Sequence, residues 1–144
     1  VKNNPRMQIP VFGNGDVSTP EAAKRMRDDF GLDGAMIGRA SIGNPWFFAE
    51  VKHFLQTGNH LKPVDMNERV EAARRHLQMA IDWKGEKLAV FETRRHYTNY
   101  FKGIPNFKDL RMKMVSSDSS EEVFEALEEA RRQFADHDFS VTAV

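Results

Sequence analysis

Cysteine is absent from the 144 residues, which excludes a disulfide scaffold, thiolate metal sites and, within this chain, a Cys nucleophile or Cys acid. Charge of one sign is also missing. The 21 Lys and Arg residues stand against 21 Asp and Glu, and with 40% hydrophobic residues and a mean hydropathy of −0.59 the composition is neither a one-signed disordered tail nor a membrane protein. No run approaches the ~18 apolar residues of a spanning helix, and the N-terminus has neither a basic-then-apolar signal nor an amphipathic presequence. A soluble, intracellular chain is the reading. Internal repeats, low-complexity tracts and His or carboxylate pairs at metal-ligand spacing are lacking too, so no metal is expected. The opening Val1-Lys2-Asn3 has no initiator Met, from which a piece of something longer is expected.

What is present changes character partway along. Residues 9 to 13 and 34 to 38 are short apolar runs bounded by glycine, and both are expected as buried strands. Between them Ser18 and Glu21 have capping-box spacing, Pro20 suits a first helical turn, and Ala22, Ala23, Met26 and Phe30 form an apolar stripe ending at Gly31. The unit reads as strand, helix and parallel strand. Asn44-Pro45 is expected to open a further helix, with Trp46, Phe47, Val51, Phe54 and Leu55 on its buried side and Gly58 at its end. Two parallel strands do not stand alone, so residues 1–58 are expected to be the last two βα units of a larger α/β domain whose beginning is missing.

From residue 64 to 137 the pattern is helical throughout. Asp65 and Glu68 cap a helix carrying Val70, Ala73, Leu77, Ala80 and Ile81. A second runs from about Glu86 to Lys102, a third from Phe107 to Val115, and a fourth begins at Ser119 or Ser120 with Val123, Phe124, Leu127, Ala130 and Phe134. Four amphipathic helices with short loops predict a four-helix bundle, followed by a tail over 138–144. The aromatics Trp46, Phe47, Phe48 and Trp83 fall at helical intervals and are expected in the core, and His96 is expected to be structural.

Formal neutrality hides a split. From Arg94 to Val115 six basic residues (Arg94, Arg95, Lys102, Lys108, Arg111, Lys113) face one acid (Asp109), a balance of +5; from Ser116 to Phe139 eight acids face two bases, a balance of −6. Arg95, Asn99 and Lys102 recur at i, i+4, i+7, flanked by Arg94 and Thr98, while Val90, Tyr97, Tyr100 and Phe101 take the opposite side. Such a cationic, hydrogen-bonding strip suits phosphate recognition. The acidic last helix either neutralises it or keeps RNA off the wrong side. A second candidate lies at the strand ends, Gly13-Asn14-Gly15-Asp16 and Gly38-Arg39. Gly15 permits close backbone approach, turn amides make an anion-binding concavity, and Arg39 offers a bidentate fork. The Asp16 carboxylate does not suit a phosphate; its side chain is expected on loop or helix-start amides.

The runs Ile9-Pro-Val-Phe-Gly-Asn-Gly-Asp-Val-Ser-Thr-Pro-Glu21, Asp33-Gly-Ala-Met-Ile-Gly-Arg-Ala40 and Gly43-Asn-Pro-Trp46 closely resemble the end of the catalytic barrel of bacterial tRNA-dihydrouridine synthases. The later run Arg94-Arg-His-Tyr-Thr-Asn-Tyr-Phe-Lys-Gly-Ile-Pro105, with Leu110-Arg111, resembles the signature of their helical domain. Together they cover about residues 5 to 135. The resemblance implies a TIM-barrel end and an FMN-dependent enzyme that reduces the C5–C6 bond of tRNA uridines with NAD(P)H. It implies that Asn14, Gly15, Asp16, Gly38 and Arg39 hold the FMN phosphate, and that Arg94, Arg95, Lys102 and Arg111 face the tRNA backbone. In the family mechanism a cysteine protonates C5 of a uracil taken out of the RNA fold.

Because this chain has no Cys, it supplies no catalytic residue of that kind. Neither firm FMN retention nor uridine reduction is expected of the 144 residues alone, and self-association or disorder before about residue 45 is expected to deal with open strand edges. Two other functions fit parts of the pattern: an FMN barrel oxidoreductase acting on a small molecule, which has no need of the basic helix, and a non-catalytic RNA-binding helical module.

Overall fold

A computed structural model describes residues 4, 6 and 8–142. Its chain divides into two compact units, Val1–Leu61 and Lys62–Val144. No described helix is long and apolar enough to cross a membrane. The protein is mostly helical, with one small parallel sheet.

The first unit holds strand β1 (Phe12–Asn14), helix α1 (Pro20–Phe30), strand β2 (Gly34–Met36), a 3-10 turn (Arg39–Ser41) and helix α2 (Phe47–Thr57). The strands are parallel, with Phe12 opposite Gly34 and Asn14 opposite Met36. Strand β1 starts later than its apolar run because Pro10 has no N–H to give a ladder, and β2 starts with its run at Gly34 but ends early, at Met36. Val11 instead brackets Asp33, its N–H donating to the Asp33 carboxylate at 2.8 Å and its carbonyl accepting the Asp33 N–H at 2.9 Å. On β1, a Cβ at Gly13 would run into Leu32 and stand 2.7 Å from Met26 Sδ, so only glycine lets α1 lie this close.

Helix α1 is capped by Thr19, not Ser18: the Thr19 hydroxyl accepts the Ala22 N–H at 3.1 Å. Pro20 decides this, since its fixed φ is preset for the first helical residue and pushes the residue before it into the extended region a cap needs. Helix α2 likewise starts later than expected. Asn44-Pro45-Trp46 forms a turn in which the Asn44 carbonyl accepts the Phe47 N–H at 3.3 Å, and Gly58 closes the far end in a left-handed conformation. Val17, Ala23, Phe47 and Val51 make the core, with Met26, Ala35, Ile37, Ala40 and Leu55 packed around it. Phe30 and Phe48, expected inside, are exposed.

The second unit packs helices α3 (Met66–Lys84), α4 (Glu86–Tyr100), α5 (Lys108–Ser116) and α6 (Ser120–Gln133), and a closing 3-10 turn at Phe139–Thr142. Asp65 and Glu68 complete their capping box on α3 at 2.9 and 3.2 Å. The Ser119 hydroxyl caps α6 by accepting the Glu122 N–H at 3.3 Å. Met66, Val70, Leu77, Val90, Tyr97, Met114, Val123 and Leu127 are almost wholly shielded from solvent. Each aliphatic side chain so buried contributes roughly 1.5–3 kcal/mol of transfer free energy, which makes this core the main support of the helices. The stretch expected as a tail is partly core. Phe139 is buried, with the Arg69 guanidinium 4.0 Å from its ring centre and the His137 ring edge-on at 4.6 Å. Trp83 departs in the other direction: it is 80% exposed.

Candidate functional site

Because β1 and β2 run parallel with Asn14 opposite Met36, the chain leaves both strands at the same end of the sheet. The segments expected to cooperate are therefore neighbours. Gly15 (φ 154°) and Asp16 (φ 28°) form the turn after β1, in backbone conformations that favour glycine at the first position and small polar residues at the second. After β2 the backbone passes Gly38, whose carbonyl accepts from the Ser41 hydroxyl at 2.8 Å and the Ser41 N–H at 3.1 Å, winding Arg39 into the 3-10 turn.

Across the strand ends the Arg39 guanidinium donates to the Asp16 carboxylate. Asp16 thus turns away from the loop and helix-start amides expected as its partners, because a guanidinium within reach is the stronger, charge-assisted donor. Both side chains are open to water, Arg39 at 83% and Asp16 at 82%. An ion pair so exposed is worth at most ~1 kcal/mol. It therefore holds Arg39 near the turn only weakly.

The cationic residues of the second unit separate into two kinds. Arg95 is exposed on α4, and Lys102 is exposed in the turn that closes that helix, where its N–H donates to the Asn99 carbonyl at 3.4 Å. Arg111 is partly exposed on α5. Arg94 is placed otherwise: half-buried, it donates to the Ser117 carbonyl at 2.7 Å and to Asp118 Oδ1 at 2.8 Å, strapping α4 to the connection between α5 and α6. Its place one residue from Arg95 rotates it by about 100° on the helix, from the outer face to the helix–helix seam. Two acids of α6 are occupied elsewhere. Glu128 pairs with Arg74 at 3.3 Å and Glu129 with Lys113 at 2.7 Å, and no ion pair among the described residues joins α6 to Arg95, Lys102 or Arg111.

His96, expected to be structural, meets a second histidine that the sequence does not place beside it. The His76 and His96 rings meet edge-on at 4.6 Å, Tyr100 Oη lies 3.3 Å from His76 Nδ1, and Arg95 Nε donates to His96 Nε2 at 3.4 Å. Burial lowers the pKa of both histidines; the Arg95 charge lowers that of His76 further, and the charges of His76 and then Arg95 lower that of His96. His76 lies on α3, and only the packing of α3 on α4 shows that it meets His96. His60 was also missed: its ring bonds Glu21 Oε1 at 2.8 Å and Glu50 Oε1 at 3.3 Å, joining α1 to α2.

Among the described residues no three His, Cys, Asp or Glu side chains group as metal ligands. Two cationic places stand out: a turn with a left-handed glycine and an exposed guanidinium at the parallel strand ends, and the outer side of α4, where Arg95 is exposed. The chain belongs to the dihydrouridine synthase family, whose model, "Dihydrouridine synthase (Dus)", matches residues 1–136. It is 35% identical to tRNA-dihydrouridine synthase B of Pseudomonas putida over 129 residues, which are 90% of this chain and 35% of that protein. It is also 35% identical to probable tRNA-dihydrouridine synthase 1 of Synechocystis over 124 residues, 86% of this chain and 35% of that protein. Against tRNA-dihydrouridine synthase B of Proteus vulgaris the identity is 34% over 128 residues, 89% of this chain and 39% of that protein. The chain thus spans little more than a third of the length of these relatives.

Proposed function

We propose that this chain is part of an FMN-dependent tRNA-dihydrouridine synthase that reduces tRNA uridines to 5,6-dihydrouridine with NAD(P)H as electron source. In this reading residues 1–58 close a TIM barrel and residues 64–137 form a helical bundle that docks tRNA. The observation that carries it is the meeting of Asp16 and Arg39 at the strand ends, the place where parallel barrels hold phosphate groups. The residues present fit the phosphate of FMN: an exposed guanidinium, a left-handed glycine at position 15 and an open approach at Gly38, where an added Cβ would meet nothing within 4 Å. When bound, FMN supplies the reducing equivalents that saturate the C5–C6 bond of uracil. Arg39 exchanges the Asp16 carboxylate for the phosphate, Gly15 lets the turn backbone come close, and Asn14 and Asp16 contribute main-chain N–H groups.

On the helices, Arg95, Lys102 and Arg111 neutralise phosphates of the sugar-phosphate backbone. Contacts of this kind fix the position and register of the RNA and carry no sequence information. Arg94 acts beneath them as a strut. With no Cys in its 144 residues, the chain alone turns over no uridine. The test uses the protein encoded by the whole reading frame that contains this chain, produced in bacteria lacking their own dihydrouridine. Dihydrouridine returns to tRNA with the native sequence, and Arg39→Ala lowers the flavin content of the purified protein. Tightly held flavin and turnover by the 144 residues alone, or undiminished flavin in the Arg39→Ala protein, would count against the proposal.

A further inference from the structure

One face of α4 is unaccounted for by the helical core. Leu88, Phe91, Arg95 and Thr98 follow one another at spacings of three, four and three residues, so they line a single stripe, and Lys102 stands in the turn that follows the helix. All five are exposed, while Ala89, Val90, Thr93, Tyr97 and Tyr100 bury the opposite side. Phe91 is 66% exposed in the middle of its helix, and the neighbouring end of α3 adds the exposed Met79 and Trp83. Each exposed ring carries a cation: Arg94 stands 5.6 Å from the Phe91 ring centre, and Lys84 Nζ stands 4.5 Å from that of Trp83. Beside Phe91 opens a cleft of about 920 Å³, lined by the cations Lys84, Lys87 and Arg94, by the acids Glu86 and Asp118 and by Leu88 and Val90.

Exposed apolar side chains beside a cleft in a charged surface point to an interaction site. The charges select the occupant. A hydrophobic peptide gains nothing from Arg95 on the same stripe and Lys102 in the turn after it, whereas a nucleic-acid strand uses both features, with stacked bases on aromatic faces and phosphates on cations. We propose that Phe91 is a stacking platform for an unpaired nucleobase of the tRNA, whose flanking phosphates lie on Lys87 and Arg95. The site rests on the reading of α4 as the RNA-facing helix, and adds to it a non-electrostatic contribution that backbone contacts lack.

The two contributions separate in salt. The purified 144-residue protein is titrated with a short uridine oligonucleotide and with an abasic oligonucleotide of equal length and charge, across a salt series. Phe91→Ala weakens uridine-oligonucleotide binding roughly 5- to 100-fold with an unchanged salt slope, leaves abasic binding as it was, and is rescued by Phe91→Trp. Circular dichroism confirms that the variants keep their helices, and the comparison of the two probes on the native protein needs no variant at all. Equal affinity for the two probes, or full affinity in Phe91→Ala, overturns the stacking platform. So does a Phe91-dependent dimer in sedimentation, which assigns the patch to a second copy. Arg95→Ala, measured alongside, lowers the slope by about one unit if α4 faces the phosphates, so the platform can fail while the cationic strip stands; an unchanged slope rejects the strip itself.

Discussion

At the scale of single residues, two contacts show how position selects among possible partners. Asp16 and Arg39 were both recognisable in the sequence as strand-end residues, but their mutual bond was not, because it depends on the register that sets Asn14 opposite Met36. His60 carried no signal, standing in a polar connection after Gly58, yet it bridges the carboxylates of Glu50 and Glu21. The Glu50 hydrogen bond, then that of Glu21, raises the His60 pKa above its ordinary value, since both bonds favour the imidazolium. A raised folded-state pKa adds stability that is fully present below the unfolded value, about 6.5, and is lost as pH rises through the folded one. All three side chains are substantially exposed, so the contribution is limited to a few tenths of a kcal/mol. NMR titration is expected to place His60 above the unfolded histidine value, and His60→Ala to destabilise the first unit on the acid side alone. A His60 that titrates at or below the ordinary value would remove the bridge.

At the scale of elements, helices were far more legible than their edges. The four helices of the second unit fall where the 3.6-residue pattern set them, because each buries a continuous apolar stripe: Val70, Ala73 and Leu77 on α3, and Val123, Leu127 and Ala130 on α6. Ends depended on chemistry that pattern alone does not rank. Ser18 ranks above Thr19 as a cap, and the fixed φ of Pro20 overrides that ranking. Amphipathicity also misassigned Trp83 and Phe48, since an aromatic at helical spacing reads as core whether or not a neighbour covers it. Helix α4 buries Val90, Thr93 and Tyr97 and exposes Arg95 and Thr98, and its outer face yields a measurable outcome. In titrations of unmodified tRNA, replacing both Arg95 and Lys102 by Ala is expected to weaken binding and to lower the salt slope by roughly one to two units, as two phosphate contacts keep their counterions. Arg94→Ala is expected to act differently. It leaves the Ser117 carbonyl and Asp118 without their guanidinium, so it lowers the melting temperature more than the slope. The reverse result would make Arg94 the phosphate ligand and Arg95 a bystander.

For the molecule as a whole, the two units rest on different balances of burial. The helical unit closes a core of its own, down to Phe139 beyond the last long helix. The first unit sets its small core on one side of a sheet that, among the described residues, has only two strands. Ile9, Phe12 and Met36, on or beside those strands, are exposed, Phe12 at 68%. The two strands were legible as two Gly-bounded apolar runs with one intervening helix, and a parallel sheet is normally covered on both faces. How the surface is covered was not written there, because covering residues need not adjoin the strands in sequence. Unpaired strand edges carrying exposed apolar side chains seek a partner strand, and at finite concentration the nearest candidate is another copy of the same chain. Sedimentation of the purified 144 residues is therefore expected to show concentration-dependent self-association. Phe12→Lys, which puts charge on the open strand without touching the core of Val17, Ala23, Phe47 and Val51, is expected to reduce it while leaving the helical unit's melting unchanged. Strict monomers at all concentrations, or association insensitive to Phe12 and lost instead with Phe91, would move the sticky surface from the sheet to α4.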